Sequence, residues 1–181
     1  MLLRFIRLFT LTVTFICISS ATFAISLGEL QNSSQFWRER HDSSRDIYLD
    51  LNSVQNVIYE PPQYTLKFKV YAVDKKENFI AEGEAIADYD YNKSIEGIIK
   101  RNNLSKVPYT SEKVKSTVKK AKLKDSGVVS GLKFSAVYDF NGNVIYSGDS
   151  IVAFKKEKVD ATSSGYVISV KAFKQYYNVK F

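Results

Sequence analysis

The chain has 181 residues, 26 basic and 19 acidic, with one histidine and one cysteine, for a formal net charge of +7. With His41 and Cys17 alone, most metal-hydrolase schemes and, once Cys17 is removed, all cysteine-nucleophile schemes are excluded. A positive balance of this size weakly favours anionic polymers or membrane surfaces.

Residues 1–24 read as a secretory signal peptide. Arg4 and Arg7 form a basic start, Leu8 to Ile18 an apolar run relieved only by threonines, and Ser19 to Thr22 a small polar stretch. Cleavage after Ala24, with Thr22 at minus three, is favoured; cleavage after Ala21 also satisfies the small-residue requirement. The apolar run is shorter than the roughly 18 residues expected of a membrane span, so no span is expected after cleavage. Ile16 before Cys17 does not suit a bacterial lipid-attachment site, and cleavage removes that cysteine. The remaining 157 residues, 181 less 24, carry a charge of +5, since Arg4 and Arg7 leave with the leader. They suit one domain without disulfides, stabilised by packing. An exported chain makes nucleic acid an improbable partner.

Residues 25–35 show no strong period and read as a flexible lead-in, with a single domain spanning 36–181. Ile47 to Leu51 has the look of a short strand between polar turns, and Pro61-Pro62 interrupts any continuation of it. Tyr64 to Val73 is the clearest strand: Tyr64, Leu66, Phe68, Val70 and Ala72 alternate with Thr65, Lys67, Lys69 and Tyr71. After a turn at Asp74 to Asn78, a second long strand places Phe79, Ala81, Gly83, Ala85, Ala87, Tyr89 and Tyr91 on one side. Its small residues leave room for a helix above. Glu82, Glu84, Asp88 and Asp90 line the other side, with Lys67 and Lys69 as cross-strand partners. A further strand is expected over Ile95 to Lys100.

Residues 111–124 carry Lys113, Lys115, Lys119, Lys120, Lys122 and Lys124 around a thin apolar line of Val114, Val118 and Ala121, as a short surface helix or a linker. Two alternating runs, Val128 to Phe140 and Asn143 to Phe154, flank Asn141-Gly142, which suits a type I′ hairpin. Tyr166, Val170, Phe173 and Tyr177 fall at i, i+4, i+7 and i+11, so a C-terminal helix capped by Ser163 or Ser164 is expected over the alanine-rich face. The fold class is α+β: an antiparallel meander packed against one principal helix, in two layers.

The order of these signals resembles the surface-adhesin protein E family of exported bacterial proteins. The resemblance rests on Phe36-Trp37, Ile47 to Asp50 with Ser53-Val54, the long alternating strand, Asp88 to Asn92, Tyr138 to Ser147 and Tyr176-Tyr177, and covers about Phe36 to Tyr177. It implies a small α+β domain at the cell envelope and, as in the founding adhesin, binding to host matrix proteins or plasminogen. The chain departs from the family in lacking a cysteine pair and in its lysine-rich insert.

Site candidates are few. His41 stands alone in a polar turn and is expected to be an ordinary loop histidine. Asp88-Tyr89-Asp90-Tyr91-Asn92 imitates the opening of a calcium loop, but Lys93 and Ile99 stand where glycine and a bidentate glutamate are required, so a strand is favoured and no metal or cofactor is expected. The six lysines at 113, 115, 119, 120, 122 and 124 are the candidate binding residues, for a host matrix protein or an anionic glycan or envelope polymer. Charge runs serve solubility more often than docking. The favoured function is a non-catalytic binding module outside the cytoplasm. The alternatives are an exported hydrolase using the strand carboxylates and a periplasmic carrier or inhibitor with an aromatic cavity.

Overall fold

The computed structural model describes residues 24–40, 43–148 and 154–181. The signal-peptide reading apart from Ala24, Cys17, His41, and residues 149–153 of the last expected strand lie outside the described residues.

Among the described residues, eight strands form one antiparallel sheet in the order β1-β2-β4-β5-β6-β7, with β3 also on β4 and β8 also on β6. The strands are β1 (Phe36–Arg40), β2 (Arg45–Asp50), β3 (Gln55–Glu60), β4 (Gln63–Asp74), β5 (Phe79–Asp90), β6 (Val128–Asp139), β7 (Val144–Ser147) and β8 (Glu157–Lys158). Both long alternating strands are present as expected, paired from Gln63 with Asp90 to Asp74 with Phe79. A 3-10 turn, Leu51–Ser53, breaks the line of β2 and β3 beside β4. Across that break the Ser53 hydroxyl accepts the Lys69 N–H at 2.8 Å, so this β4 donor is not left bare. Pro61-Pro62, joined by a cis peptide bond, are the two residues between the last β3–β4 pair, Glu60 and Gln63.

Alternation in β4 and β5 buries Leu66, Phe68, Val70, Ala85, Ala87 and Tyr89 on one face. The C-terminal helix covers it, as the spacing of Tyr166, Val170, Phe173 and Tyr177 predicted, and sets Ile168, Ala172 and Phe173 against the small residues. Ser163 caps that helix by accepting the Tyr166 N–H at 3.2 Å, and Asn178, in the left-handed region with φ 55, ends it. The α+β class and the antiparallel sheet with a C-terminal helix are therefore as expected. Among the described residues, no helix is long and apolar enough to cross a membrane.

The reading of residues 25–35 as a lead-in is corrected. Leu27–Asn32 is helix α1, opened by a capping box in which Ser26 and Glu29 satisfy each other's backbone donors. It sits on the opposite sheet face, where Leu30 (1% exposed) joins Tyr48, Tyr71, Val73, Ile80, Ala136 and Tyr138 in a second core. Its docking is also tied by the Leu27 N–H, which donates to the Phe140 carbonyl at 3.0 Å. Leu30→Ala is expected to cost about 2–4 kcal/mol, because the removed methyls leave a cavity between two rigid layers. A shift of the urea midpoint reads this directly, and a midpoint within error of the parent would mean that α1 is not docked.

The strand expected over Ile95 to Lys100 is a helix, α2 (Ile95–Arg101). Ser94 accepts the Gly97 N–H at 3.0 Å as N-cap, and Ile98 turns into the core. Isoleucine content suggested a strand, but the i, i+3, i+4 spacing of Ile95, Ile98 and Ile99 fits one helical face. Glycine is required here, since a Cβ on Gly97 would stand 2.6 Å from the Tyr91 carbonyl oxygen. The Asn141-Gly142 turn also differs from the expected type I′. Only Gly142 has positive φ, at 89, and the Asp139 carboxylate holds the turn by accepting the Asn141 and Asn143 N–H groups at 2.9 and 2.8 Å. The lysine-rich segment is helix α3 (Glu112–Lys124), and the C-terminal helix is α4 (Ser164–Tyr177).

Candidate binding surfaces

Helix α3 begins at Ser111, whose hydroxyl accepts the Val114 N–H at 3.3 Å. Its thin apolar line faces inward, with Val114 fully buried. A helix carries positions seven apart on nearly one side, so Lys113, Lys120 and Lys124 lie along one flank of that line, and Lys115, Lys119 and Lys122 lie on the other. The six lysines therefore do not make one face. Lys115 is held by Glu112 at 2.9 Å.

Lys122 leaves the surface set altogether. It is 7% exposed; its ammonium donates to the Ser126 carbonyl at 2.9 Å and lies 4.2 Å from the Phe181 ring centroid and 5.3 Å from that of Tyr166. Burial brings its pKa down to about 8. The helical period carried this signal: Lys122 stands four residues after Val118 and eight after Val114, where the flank borders the buried stripe, while Leu123 beside it is exposed.

Helix packing adds a residue that sequence spacing did not. Helices α2 and α3 lie against each other, and a cavity of about 290 Å³ between them is lined by Lys93, Ile98, Arg101, Ala121, Lys124 and Asp125. Lys93 is already engaged, at 2.7 Å from Asp125 and 3.5 Å from Asp90. The hydrogen bond with Asp125 raises the Lys93 pKa and lowers that of Asp125. Arg101 and Lys124 are exposed and have no acidic partner among the described residues, so their charge faces outward. Arg101 supplies the forked donor that the lysine segment lacks.

The acidic strand carboxylates are brought close, but each meets a cation. Glu84 pairs with Lys67 at 3.1 Å, Glu82 with Lys69 at 3.0 Å, Asp88 with Lys156 at 2.8 Å, and Asp90 with Lys93. Glu82 also accepts the Tyr138 hydroxyl at 2.8 Å, and Asp88 that of Thr65 at 2.8 Å. This is the pattern of a solvated sheet face with cross-strand pairing. The calcium-like run is the end of β5 followed by a 3-10 turn, Tyr91–Lys93, that Asp90 caps by accepting the Asn92 N–H at 3.1 Å. Tyr89 points into the core and Asp88 outward, in keeping with a strand.

The chain matches no protein-family model, no curated protein and no solved structure.

Proposed function

We propose that the protein is an exported cell-envelope binding module without catalytic activity, and that it takes an anionic polymer, such as a sulfated or phosphorylated glycan of host matrix or envelope, along the α2–α3 groove. The leader-like N-terminus and the resemblance to the surface-adhesin protein E family support the envelope reading. The observation that carries the ligand class is the pair Arg101 and Lys124, which line one groove whose lining carboxylate, Asp125, is already paired with Lys93, and which continue into Lys120 and Lys113 along α3. Like charges gathered this way raise the local concentration of an anion, and a groove lets arginine engage it with two parallel hydrogen bonds.

Retention on immobilised heparin and on immobilised matrix protein at physiological salt tests this reading. The parent protein is expected to be retained, and the double variant Arg101→Ser, Lys124→Ser to lose at least about tenfold in affinity, because two unscreened contacts are removed. Lys115→Ser, which removes a charge already paired with Glu112, is expected to change retention little. Passage of the parent straight through the column, or equal retention of the double variant, would refute the groove.

A further inference from the structure

A second surface lies where the last turn of α4 meets the β3–β4 hairpin, and it shares no lining residue with the basic groove. Five tyrosines from four segments converge there: Tyr59 of β3, Tyr64 of β4, Tyr91 after β5, and Tyr176 and Tyr177 of α4. Ring centroids stand 5.5 Å apart for Tyr59 and Tyr64, 5.1 Å for Tyr64 and Tyr177, 6.0 Å for Tyr64 and Tyr91, 6.0 Å for Tyr59 and Tyr177, and 5.0 Å for Tyr176 and Tyr177. Phe173 backs the group from the core, 4.7 Å from Tyr177 and 5.4 Å from Tyr64.

Unlike core rings, these are partly uncovered. Tyr59 is 61% and Tyr176 47% exposed, and Val57 and Ile58 extend the apolar surface along the exposed strand β3. Two rings are fixed by their hydroxyls: Tyr177 donates to Asn56 Oδ1 at 2.8 Å, and Tyr91 to Glu96 at 2.9 Å. The hydroxyls of Tyr59, Tyr64 and Tyr176 have no hydrogen-bond partner among the described residues. The result is a band of mutually packed rings with unused O–H groups, bordered by the Glu96 carboxylate, an arrangement that binds with little loss of side-chain freedom.

We propose that this band docks an extended, proline-rich segment of a partner protein in the polyproline II conformation. The match is chemical. Such a segment is uncharged, presents apolar pyrrolidine rings, and carries backbone carbonyls with no internal hydrogen bonds, which the free phenol groups can donate to. A neutral glycan is itself rich in hydroxyl donors and calls for acceptors, and here the Asn56 amide oxygen and one Glu96 carboxylate oxygen each already accept a tyrosine hydroxyl, which leaves them less available to it. The geometry also agrees. The path from Tyr59 through Tyr177 to Tyr176 has steps of 6.0 and 5.0 Å, so the outer rings lie no more than 11 Å apart. One three-residue turn of polyproline II advances about 9 Å, so one to two turns are long enough to reach across a row of that size.

Calorimetric titration of the full chain with a synthetic oligoproline of about ten residues, alongside a neutral hexasaccharide, decides the matter. Saturable oligoproline binding with a Kd below about 1 mM is expected. Tyr59→Ala and Tyr176→Ala, both at exposed positions and so expected to fold normally, should each weaken it by about tenfold. Absence of saturation, undiminished binding by both variants, or binding of the hexasaccharide in place of the peptide would each overturn the proposal. Heparin retention by the α2–α3 groove is measured separately, so the two readings stand or fall apart.

Discussion

Phe173→Ala is expected to lower the free energy of unfolding by about 3–5 kcal/mol. The ring is the meeting point of five others, at 4.7 Å from Tyr177, 4.9 Å from Tyr89, 5.2 Å from Phe181, 5.4 Å from Tyr64 and 5.9 Å from Tyr91. Those partners come from β4, β5, the turn after β5, α4 and the C-terminal residues, so removing the ring opens a void that no single element can move to fill. The backbone around it is pinned as well, because the buried Tyr89 hydroxyl donates to the Ser169 carbonyl of α4 at 2.8 Å. The edge-to-face contact with Tyr64, the stacked one with Tyr91 and the tilted ones with Tyr89, Tyr177 and Phe181 add to the area term, which places the loss towards the upper end of the range. Thermal unfolding should register it as a fall in Tm of about 10 °C or more for a domain of this size. Tyr176→Ala, one residue before Tyr177 but facing solvent, should stay within about 1 kcal/mol of the parent. A loss below about 1 kcal/mol for Phe173→Ala would show that α4 is not seated on the alanine-rich face.

The elements that could be read in advance are those long enough for a period to repeat. β4 and β5 each alternate over 12 residues, and α4 returns an apolar residue at every turn over 14. Short elements escaped. Helix α1 has six residues, too few for a period, and only the Ser26–Glu29 pair marked it. In α2 the isoleucines favoured a strand by composition, while Ser94 as a cap and the helical spacing of Ile98 pointed the other way. Lys122 shows how a charge hides a core position: its aliphatic stem packs like an apolar residue while the ammonium finds a carbonyl and two ring faces. Arg101 and the tyrosine band were invisible for another reason. Each joins residues far apart in the chain, and alternation tells which face a ring occupies without telling where a covering helix stops. The end of α4 decides that Phe173 is buried and Tyr59 is not.

Raising the pH should leave stability level or slightly higher from about 8 to 10 and then collapse it above 10. Burial pushes the phenol pKa values of Tyr138, Tyr166 and Tyr177 up to about 12, with Glu82 assisting at Tyr138, and raises those of Tyr71 and Tyr89 further. In the unfolded chain these groups ionise near their ordinary value of about 10. Between about pH 10 and 12 the unfolded state has therefore lost protons that the folded state still holds. Stability present below pH 10 is then lost at about 1.4 kcal/mol per pH unit for each such tyrosine. Several acting together give a steep slope. Lys122 has the opposite sign: its folded pKa of about 8 lies below its ordinary 10.5, so the unfolded chain keeps a proton that the folded chain sheds, and stability rises across that interval. Urea midpoints measured from pH 7 to 12, with tyrosinate absorbance followed in parallel, should show ionisation of the buried phenols only as the chain unfolds. Lys122→Met should flatten the rise between pH 8 and 10 and leave the collapse in place, because it removes the buried charge while keeping an unbranched apolar stem under the Phe181 and Tyr166 rings. If all twelve tyrosines ionise near pH 10 in a chain that remains folded, the buried rings assigned to both cores are not sealed from water.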